Sequence, residues 1–180
     1  INPDFIEFDL SRISGLGIKS YTGDASAVEV AMISGKVAGN EAELRKLYDP
    51  FIEKYADQEG VDPDAIRAII AHESGWNNLA TSDTDDYGLM QINLPSHPSF
   101  FKNGNWKDPE YNIAYGARYF KQQLSWAKTQ TNNPEKKIML AFGRYNRPAS
   151  PNMVYAAKAY WQFDRLSKQN QKNQKNVRMM

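Results

Sequence analysis

The sequence contains no cysteine. This absence excludes a disulfide framework, a thiolate metal site and a cysteine nucleophile, although it does not identify the compartment. Histidine is nearly as scarce, since His72 and His97 are the only two, which is too few for a convincing histidine metal site. No apolar run is long enough to span a bilayer, and no secretory signal is visible. We therefore expect no metal site and no membrane span.

Charge of either sign is not in excess, because the net charge is +1. The end of the chain is nonetheless basic, with four Lys or Arg and no acid in residues 168–180. Subtracting these four charges from the total leaves −3 for the remainder. A basic tail can bind acidic polymers, but this one is short, rich in Gln and Asn and free of aromatics. We predict a flexible, solvated tail and no nucleic-acid partner.

The size of the chain suits one domain with extra sequence at its ends, because it has 180 residues of ordinary globular composition. Residues 1–40 have no clean periodicity and are predicted to form an irregular N-terminal extension. The start at Ile1 rather than Met suggests a fragment of a larger or processed polypeptide. The predicted domain covers residues 41–167, and the basic tail covers 168–180.

Helical periodicity begins after residue 40, where apolar residues recur at spacings of three and four. Pro50 lies inside this first pattern and is expected to kink it or split it. The pairs Asp62-Pro63 and Asp108-Pro109 open the next two long helices, and Pro134 opens a further one. Residues 88–93 are predicted to start a short helix or tight turn, which Pro95 and Pro98 end. A last helix is predicted from about 152 to 166. With no alternating strands or internal repeat, the predicted class is all-α.

Glu73 is the main catalytic candidate because it lies on one helix face with Ile66, Ile69 and Ile70. A carboxyl group that faces the core is desolvated, and the negative end of the helix also disfavours its anion, so its pKa should rise. A glutamate near a helix end is more often a surface residue, so this position alone does not establish a role. His72 projects about 100° away on a helix and is not expected to act with it.

Three ordered motifs place Glu73 in a family. The pair Glu73-Ser74, the run 88–91 (Gly-Leu-Met-Gln) and the pair Tyr145-Asn146 together resemble the signature of the lysozyme-like soluble lytic transglycosylases, the SLT family, with goose-type lysozyme as the nearest relative. The helix around residues 112–117 is also similar, and the resemblance covers about residues 44–163. The departures are Arg144 before the third motif, Arg147-Pro148 after it, and an acidic loop at 83–87.

This resemblance implies an all-α, lysozyme-like (SLT-type) fold and a set of site residues. Glu73 would be the essential carboxylate, and the hydroxyl of Tyr145 would reach toward it. Contacts with the substrate are expected from the motif positions and from Ser82. We add Trp76, because sugar rings stack on flat aromatic side chains. Trp76 and Trp106 are, however, equally typical of aromatic residues at the edge of the core. The expected substrate-binding residues are Ser82, Trp76, Met90, Gln91, Tyr145 and Asn146.

The implied activity is cleavage of peptidoglycan at the β-1,4 bond between N-acetylmuramic acid and N-acetylglucosamine. Glu73 would act as general acid and then as base, and the product would carry a 1,6-anhydro end. Because the nucleophile is the sugar's own hydroxyl, one carboxylate suffices, and neither metal nor cofactor is needed.

Two other functions stay open. A hydrolytic muramidase resembling goose-type lysozyme would pair Glu73 with Asp83, Asp85 or Asp86. An inactive glycan-binding or structural module would keep the fold without the reaction, although the joint presence of Glu73, Met90-Gln91 and Tyr145 argues against it. The expected partner is the peptidoglycan glycan strand, in the periplasm, the cell envelope or a virion, with a larger virion or secretion assembly as one setting.

Overall fold

The computed structural model describes residues 41–178, and side chains up to residue 176. Helices dominate this part of the chain, with one small hairpin between the second and third helix. The elements are α1 Glu41–Glu59, α2 Pro63–Glu73, β1 Asp86–Tyr87, β2 Ile92–Asn93, α3 Pro98–Asn103, α4 Pro109–Gln130, α5 Pro134–Asn146 and α6 Met153–Arg178. The all-α prediction is therefore confirmed, whereas the predicted extension 1–40 lies outside the described residues.

The starts of three helices follow the sequence pattern closely. The Asp62 carboxylate accepts a hydrogen bond from Asp64 N at 2.9 Å, and Pro63 occupies the first helical turn. Asp108 and Asn133 cap α4 and α5 in the same way, each followed by a proline. Such a residue satisfies an amide at the helix end, and proline has no amide to satisfy, so the pair fixes where each helix begins.

Other boundaries differ from the predictions. Helix α1 is continuous through Pro50, so the predicted split is wrong. Proline removes only one hydrogen bond in the helix, and buried Tyr48 and Ile52 on either side anchor α1 to the core. A short helix, α3, starts at Pro98, where an end was predicted. Residues 88–91 form a tight turn, one of the two predicted alternatives, and the chain then enters β2.

The last helix is longer than predicted, because α6 runs to Arg178 instead of ending at Leu166. Most of the predicted flexible tail is therefore helical. The Asn170 amide donates to both carboxylate oxygens of Asp64, at 2.8 and 3.0 Å. Asp64 also accepts from the buried Arg67 at 2.9 Å. This polar contact between α6 and the start of α2 is invisible in the local composition of the tail.

The core lies where α2, α4, α5 and α6 meet. Helix α4 packs against α1 and α5, and α6 packs against α5 and α2. The isoleucines of α2 and the phenylalanines of α4 and α5 are fully removed from solvent, as the sequence pattern predicted. Helix α6 packs against α2, whose last residue is Glu73. Within residues 41–178, none of the helices is both long and apolar enough to cross a membrane.

Candidate active site

Glu73 is the last residue of α2 and lines a cavity of about 320 Å³. Burial raises the pKa of its carboxyl group from 4.5 to about 7, a hydrogen bond from Tyr155 lowers it, and the nearby charge of Asp86 raises it. The C-terminal end of a helix carries partial negative charge, which further disfavours the anion. Glu73 therefore holds a proton over much of the range up to neutral pH.

The hydroxyl bonded to Glu73 belongs to Tyr155 of α6. Tyr155 Oη donates to Glu73 Oε1 at 2.6 Å, and the tyrosine ring is almost completely buried. Burial raises the pKa of Tyr155 well above its usual value, so the phenol stays protonated as a donor. The ring of His72 packs edge-on against it, with 4.9 Å between centroids. Our sequence reasoning missed Tyr155, because the only signal was an aromatic-rich last helix.

Tyr145 interacts with Glu73 electrostatically but does not donate to it. Its hydroxyl donates to the carbonyl oxygen of Met90 at 2.8 Å, and burial together with the charge of Glu73 raises its pKa. The expected approach of this hydroxyl toward Glu73 stays a prediction. The Tyr145 ring still lines the cavity, as does Asn146, whose Oδ1 accepts from Asn152 Nδ2 at 2.9 Å. Because α5 ends at Asn146, the third motif forms one lip of the cavity and ties it to the turn carrying Met90.

The turn from Gly88 to Gln91 is a structural support for the cavity. Gly88 has a φ of +80°, and a Cβ there would lie 2.1 Å from Asn112 Nδ2, so only glycine fits. The buried Asn112 accepts from Met90 N at 2.8 Å and donates to Tyr87 O at 3.1 Å. The side chain of Met90 is fully buried against Gly116. The expectation that Met90 contacts substrate is therefore wrong, because its side chain fills the core.

Gln91 both stabilises the loop and lines the cavity. Its Nε2 donates to the carbonyl oxygens of Ala80 and Gly88, at 3.0 and 2.9 Å, which ties the loop to the turn. The same residue lines the cavity, so a substrate contact by Gln91 stays a prediction. With both Nε2 hydrogens directed at backbone carbonyls, Oε1 is the atom with which it would bind a sugar hydroxyl or amide.

The acidic loop places Asp86 in the same cavity as Glu73. Three side chains hold its carboxylate: Ser82 and Thr84 each donate to Oδ2 at 2.6 Å, and Asn93 donates to Oδ1 at 2.9 Å. Ser82 is exposed, and its hydroxyl bonds to Thr84 and Asp86 of the same loop. A contact of Ser82 with substrate remains a prediction. Asp85 instead accepts from the Tyr87 hydroxyl at 3.3 Å.

His97 and Tyr119 also line the cavity. The Nδ1 of His97 lies 3.0 Å from the Tyr115 hydroxyl, and its ring packs edge-on against Tyr119 with centroids 4.6 Å apart. Burial lowers the pKa of His97, so it is neutral near pH 7. Among the described residues, no group of three or more histidines, aspartates or glutamates is placed to hold a metal ion.

Trp76 does not belong to the site. It is only 2% exposed, and its ring stacks on Tyr48 with centroids 6.5 Å apart. Gly75 and Trp76 both have positive φ, at 54° and 69°, and this reversal after α2 turns the indole back into the core. The prediction that Trp76 binds substrate is therefore wrong.

Comparison with known proteins agrees with the motifs. Residues 50–176 match the family model described as the transglycosylase SLT domain, and the chain belongs to this family. Similar proteins include the endo-type membrane-bound lytic murein transglycosylase A of Salmonella paratyphi B and that of Salmonella enteritidis. Each is 40% identical over an alignment of 80 residues, and the match covers 39% of this chain and 39% of the relative. The chain thus matches well under half the length of these relatives.

Proposed function

We propose that this protein is a peptidoglycan lytic transglycosylase that cleaves the β-1,4 bond between N-acetylmuramic acid and N-acetylglucosamine. The observation that carries the proposal is the carboxyl group of Glu73, which lines an open cavity with a pKa raised to about 7. A glycosidase needs an acid that still holds its proton near neutral pH. The similarity to proteins named lytic murein transglycosylases supports the choice of substrate.

In the first step, Glu73 donates its proton to the glycosidic oxygen as the bond to C1 of the muramoyl sugar breaks. Tyr155 occupies Oε1, so Oε2 is the oxygen that carries the transferred proton. The developing positive charge at C1 is taken up by the acetamido group of the same sugar. The phenol of Tyr155 then stabilises the carboxylate that Glu73 becomes, since hydrogen bonds to charged groups are the stronger ones.

In the second step, the Glu73 carboxylate accepts the proton of the muramoyl 6-hydroxyl. The oxygen of that hydroxyl bonds to C1, the acetamido group is released, and a 1,6-anhydro end forms. This step needs no second carboxylate, because the nucleophile is held on the reacting sugar at a high effective concentration. Glu73 regains its proton and is ready for another bond. Gln91, Asn146, Tyr145 and Ser82 remain our candidates for holding the sugar rings.

The proposal is tested with Glu73→Gln, which keeps the shape but cannot transfer the proton. We expect lysis of purified cell walls to fall by about 10²- to 10⁴-fold, the range for general acid–base catalysis. Glu135→Gln, the same change at an exposed residue in the first turn of α5, is the matched control. Wall lysis by E73Q at the rate of the unaltered protein would refute the proposal.

A hydrolytic muramidase is the second candidate, and Asp86 is the observation that favours it. This carboxylate shares the cavity with Glu73 and is held rigidly by Ser82, Thr84 and Asn93. Such a group could deprotonate a water on the far face of the sugar, as in inverting hydrolases. Mass spectrometry of the products separates the two reactions, since an anhydro end is lighter by one water than a reducing end.

The same two reactions respond differently to Asp86→Asn. Transglycosylation should survive this change, because Asp86 takes no proton in it, whereas hydrolysis should be lost. If the unaltered protein and the Asp86→Asn variant both give 1,6-anhydro products, the transglycosylase is therefore supported. We place the reaction outside the cytoplasm, in the cell envelope, since that is where the proposed substrate lies.

A further inference from the structure

The exposed large hydrophobic side chains of the described residues all lie at the start of α6. Met153, Val154 and Trp161 are 46%, 69% and 62% exposed, although the rest of the large apolar side chains in this part of the chain are covered or partly covered. Val154, Lys158, Trp161 and Arg165 follow at intervals of three and four, so they share one helix face. A stripe that groups exposed large apolar side chains with cations on one helix face marks an interaction site more often than scattered single residues do.

Trp161 lies at the edge of a shallow depression of about 420 Å³ between α6 and the end of α2. Its other walls include His72, Lys158 and Gln162. The Arg165 guanidinium lies over the indole at 5.4 Å from the ring centroid and donates to Gln162 at 3.0 Å. Arg165 thus holds the Trp161 ring in place, while the ring stays more than half exposed to solvent.

The charge of this surface is positive. Lys158 has no ion-pair partner among the residues that the structure describes, and Arg165 contacts neutral groups. The adjacent acid, Asp164, is paired with Lys168 at 2.6 Å. A polymer that carries carboxylates would therefore gain from contact with Lys158 and Arg165, because charge complementarity both attracts and orients a ligand.

The stripe begins at the lip of the catalytic cavity. Asn152, directly before α6, donates to Asn146, which lines that cavity. From Met153 to Trp161 the helix rises by about 12 Å, which is enough to contact a disaccharide. A strand that leaves the cavity past Asn146 would meet Met153 and Val154 first and Trp161 after them.

We infer that the face of α6 formed by Met153, Val154, Lys158, Trp161 and Arg165 is a second binding surface for the glycan strand. This inference rests on the proposed function. The indole would stack on the apolar face of a sugar ring, the aliphatic residues would contact N-acetyl methyl groups, and the cations would pair with carboxylates of the peptide stems. The surface would hold a long strand while Glu73 cleaves it nearby.

The test is co-sedimentation with purified, insoluble peptidoglycan in a Glu73→Gln background, where the substrate stays intact. We expect Trp161→Ala to weaken the apparent affinity about five- to tenfold, as is common for a tryptophan at the centre of an interface. Lys158→Glu should weaken it as well, while Lys128→Glu, the same charge change at an exposed residue outside this surface, should not. Circular dichroism checks that each variant is folded.

Two results would overturn the inference. If W161A and K158E bind insoluble peptidoglycan with the same apparent affinity as the control K128E, the strand does not contact this face. A dimer of the parent protein that W161A dissociates, measured by sedimentation velocity, would assign the face to a second copy of the chain instead. Neither result touches the proposed reaction, whose failure is seen separately as wall lysis that persists in E73Q.

Discussion

At the scale of single residues, the site depends on two opposing effects on the pKa of Glu73. Burial at the end of α2 favours the neutral form of Glu73, and the Tyr155 hydroxyl favours the anion. The balance leaves the pKa at about 7, between the two forms that the proposed reaction needs in turn. Tyr155 is a positioning residue here, because it contacts Glu73 and acts through it.

Replacing Tyr155 by Phe should move the alkaline limb of the pH–rate profile to higher pH. The lost hydrogen bond is one that lowers the pKa of Glu73, so the pKa should rise without it. The profile of kcat/KM against pH on soluble glycan fragments measures this. Tyr145→Phe is the control, since its hydroxyl donates to Met90 O and not to Glu73. An unmoved limb in Y155F would contradict the assigned role.

Glu73 should also make stability depend on pH. Its pKa rises from 4.5 in the unfolded chain to about 7 on folding, so the folded state retains a proton that the unfolded state loses. Stability should therefore fall as pH rises from about 4.5 to 7 and then level off, by roughly 3 kcal/mol in total. Glu73→Gln lacks this loss and should be more stable than the unaltered protein at pH 8 but not at pH 4, as measured by urea unfolding.

At the scale of elements, the hairpin and its turn are held in place by α4. Asn112 bonds the turn at Met90 and Tyr87, and Met90 fills the space above Gly116. Tyr145 of α5 reaches the same turn through the Met90 carbonyl. The wall of the cavity that carries Asp86 and Gln91 is thus positioned by buried hydrogen bonds with Asn112 and Tyr145, which belong to two different helices.

Two glycine substitutions separate backbone strain from crowding at this wall. Gly75 and Gly88 both have positive φ, but a Cβ at Gly75 meets nothing within 4 Å, whereas one at Gly88 meets Asn112 and the Trp106 carbonyl. Gly75→Ala should cost about 1 kcal/mol from the backbone alone. Gly88→Ala should cost about 2–4 kcal/mol, because overpacking is added. Equal losses in thermal unfolding would show that the Asn112 contact does not restrict this position.

At the scale of the whole molecule, α6 joins distant parts of the fold. It carries Tyr155 to Glu73, it contacts the start of α2 through Asn170, and its outer face carries the proposed second binding surface. Near Asn170, the buried Arg67 pairs with Asp49 at 2.8 Å, with Asp64 at 2.9 Å and with Glu53. The two ends of α2 are therefore both fixed by one helix.

Asn170→Ala should lower the free energy of unfolding by about 1–2 kcal/mol, since it removes hydrogen bonds to a buried carboxylate. Deletion of residues 168–180 should cost at least as much. Lys175→Ala, an exposed change on the same helix, is the control and should have little effect. Urea unfolding measures all three. An unaffected deletion variant would support a dispensable flexible tail and contradict a structural role for this end of α6.

Much of the fold followed from local signals. Capping residues followed by proline determined three helix starts. The isoleucine stripe ending in Glu73 predicted that α2 packs into the core, where residues 64–70 are buried all round the helix. These features depend on spacing and on local hydrogen bonds, which involve only residues a few positions apart in the sequence. For the same reason Glu73 could be chosen from its motif and its place at a helix end.

The partners of Glu73 were decided by tertiary structure alone. Tyr155 lies 82 residues further along the chain, and its hydroxyl is the one that donates to the carboxylate, because α6 packs against α2. Trp76 and Met90 were expected in the groove and are buried, since the reversed backbone at Gly75 and the contact with Gly116 direct them inward. Spacing along a chain fixes the side of a helix, but only the packing of distant helices decides which side chains share a cavity.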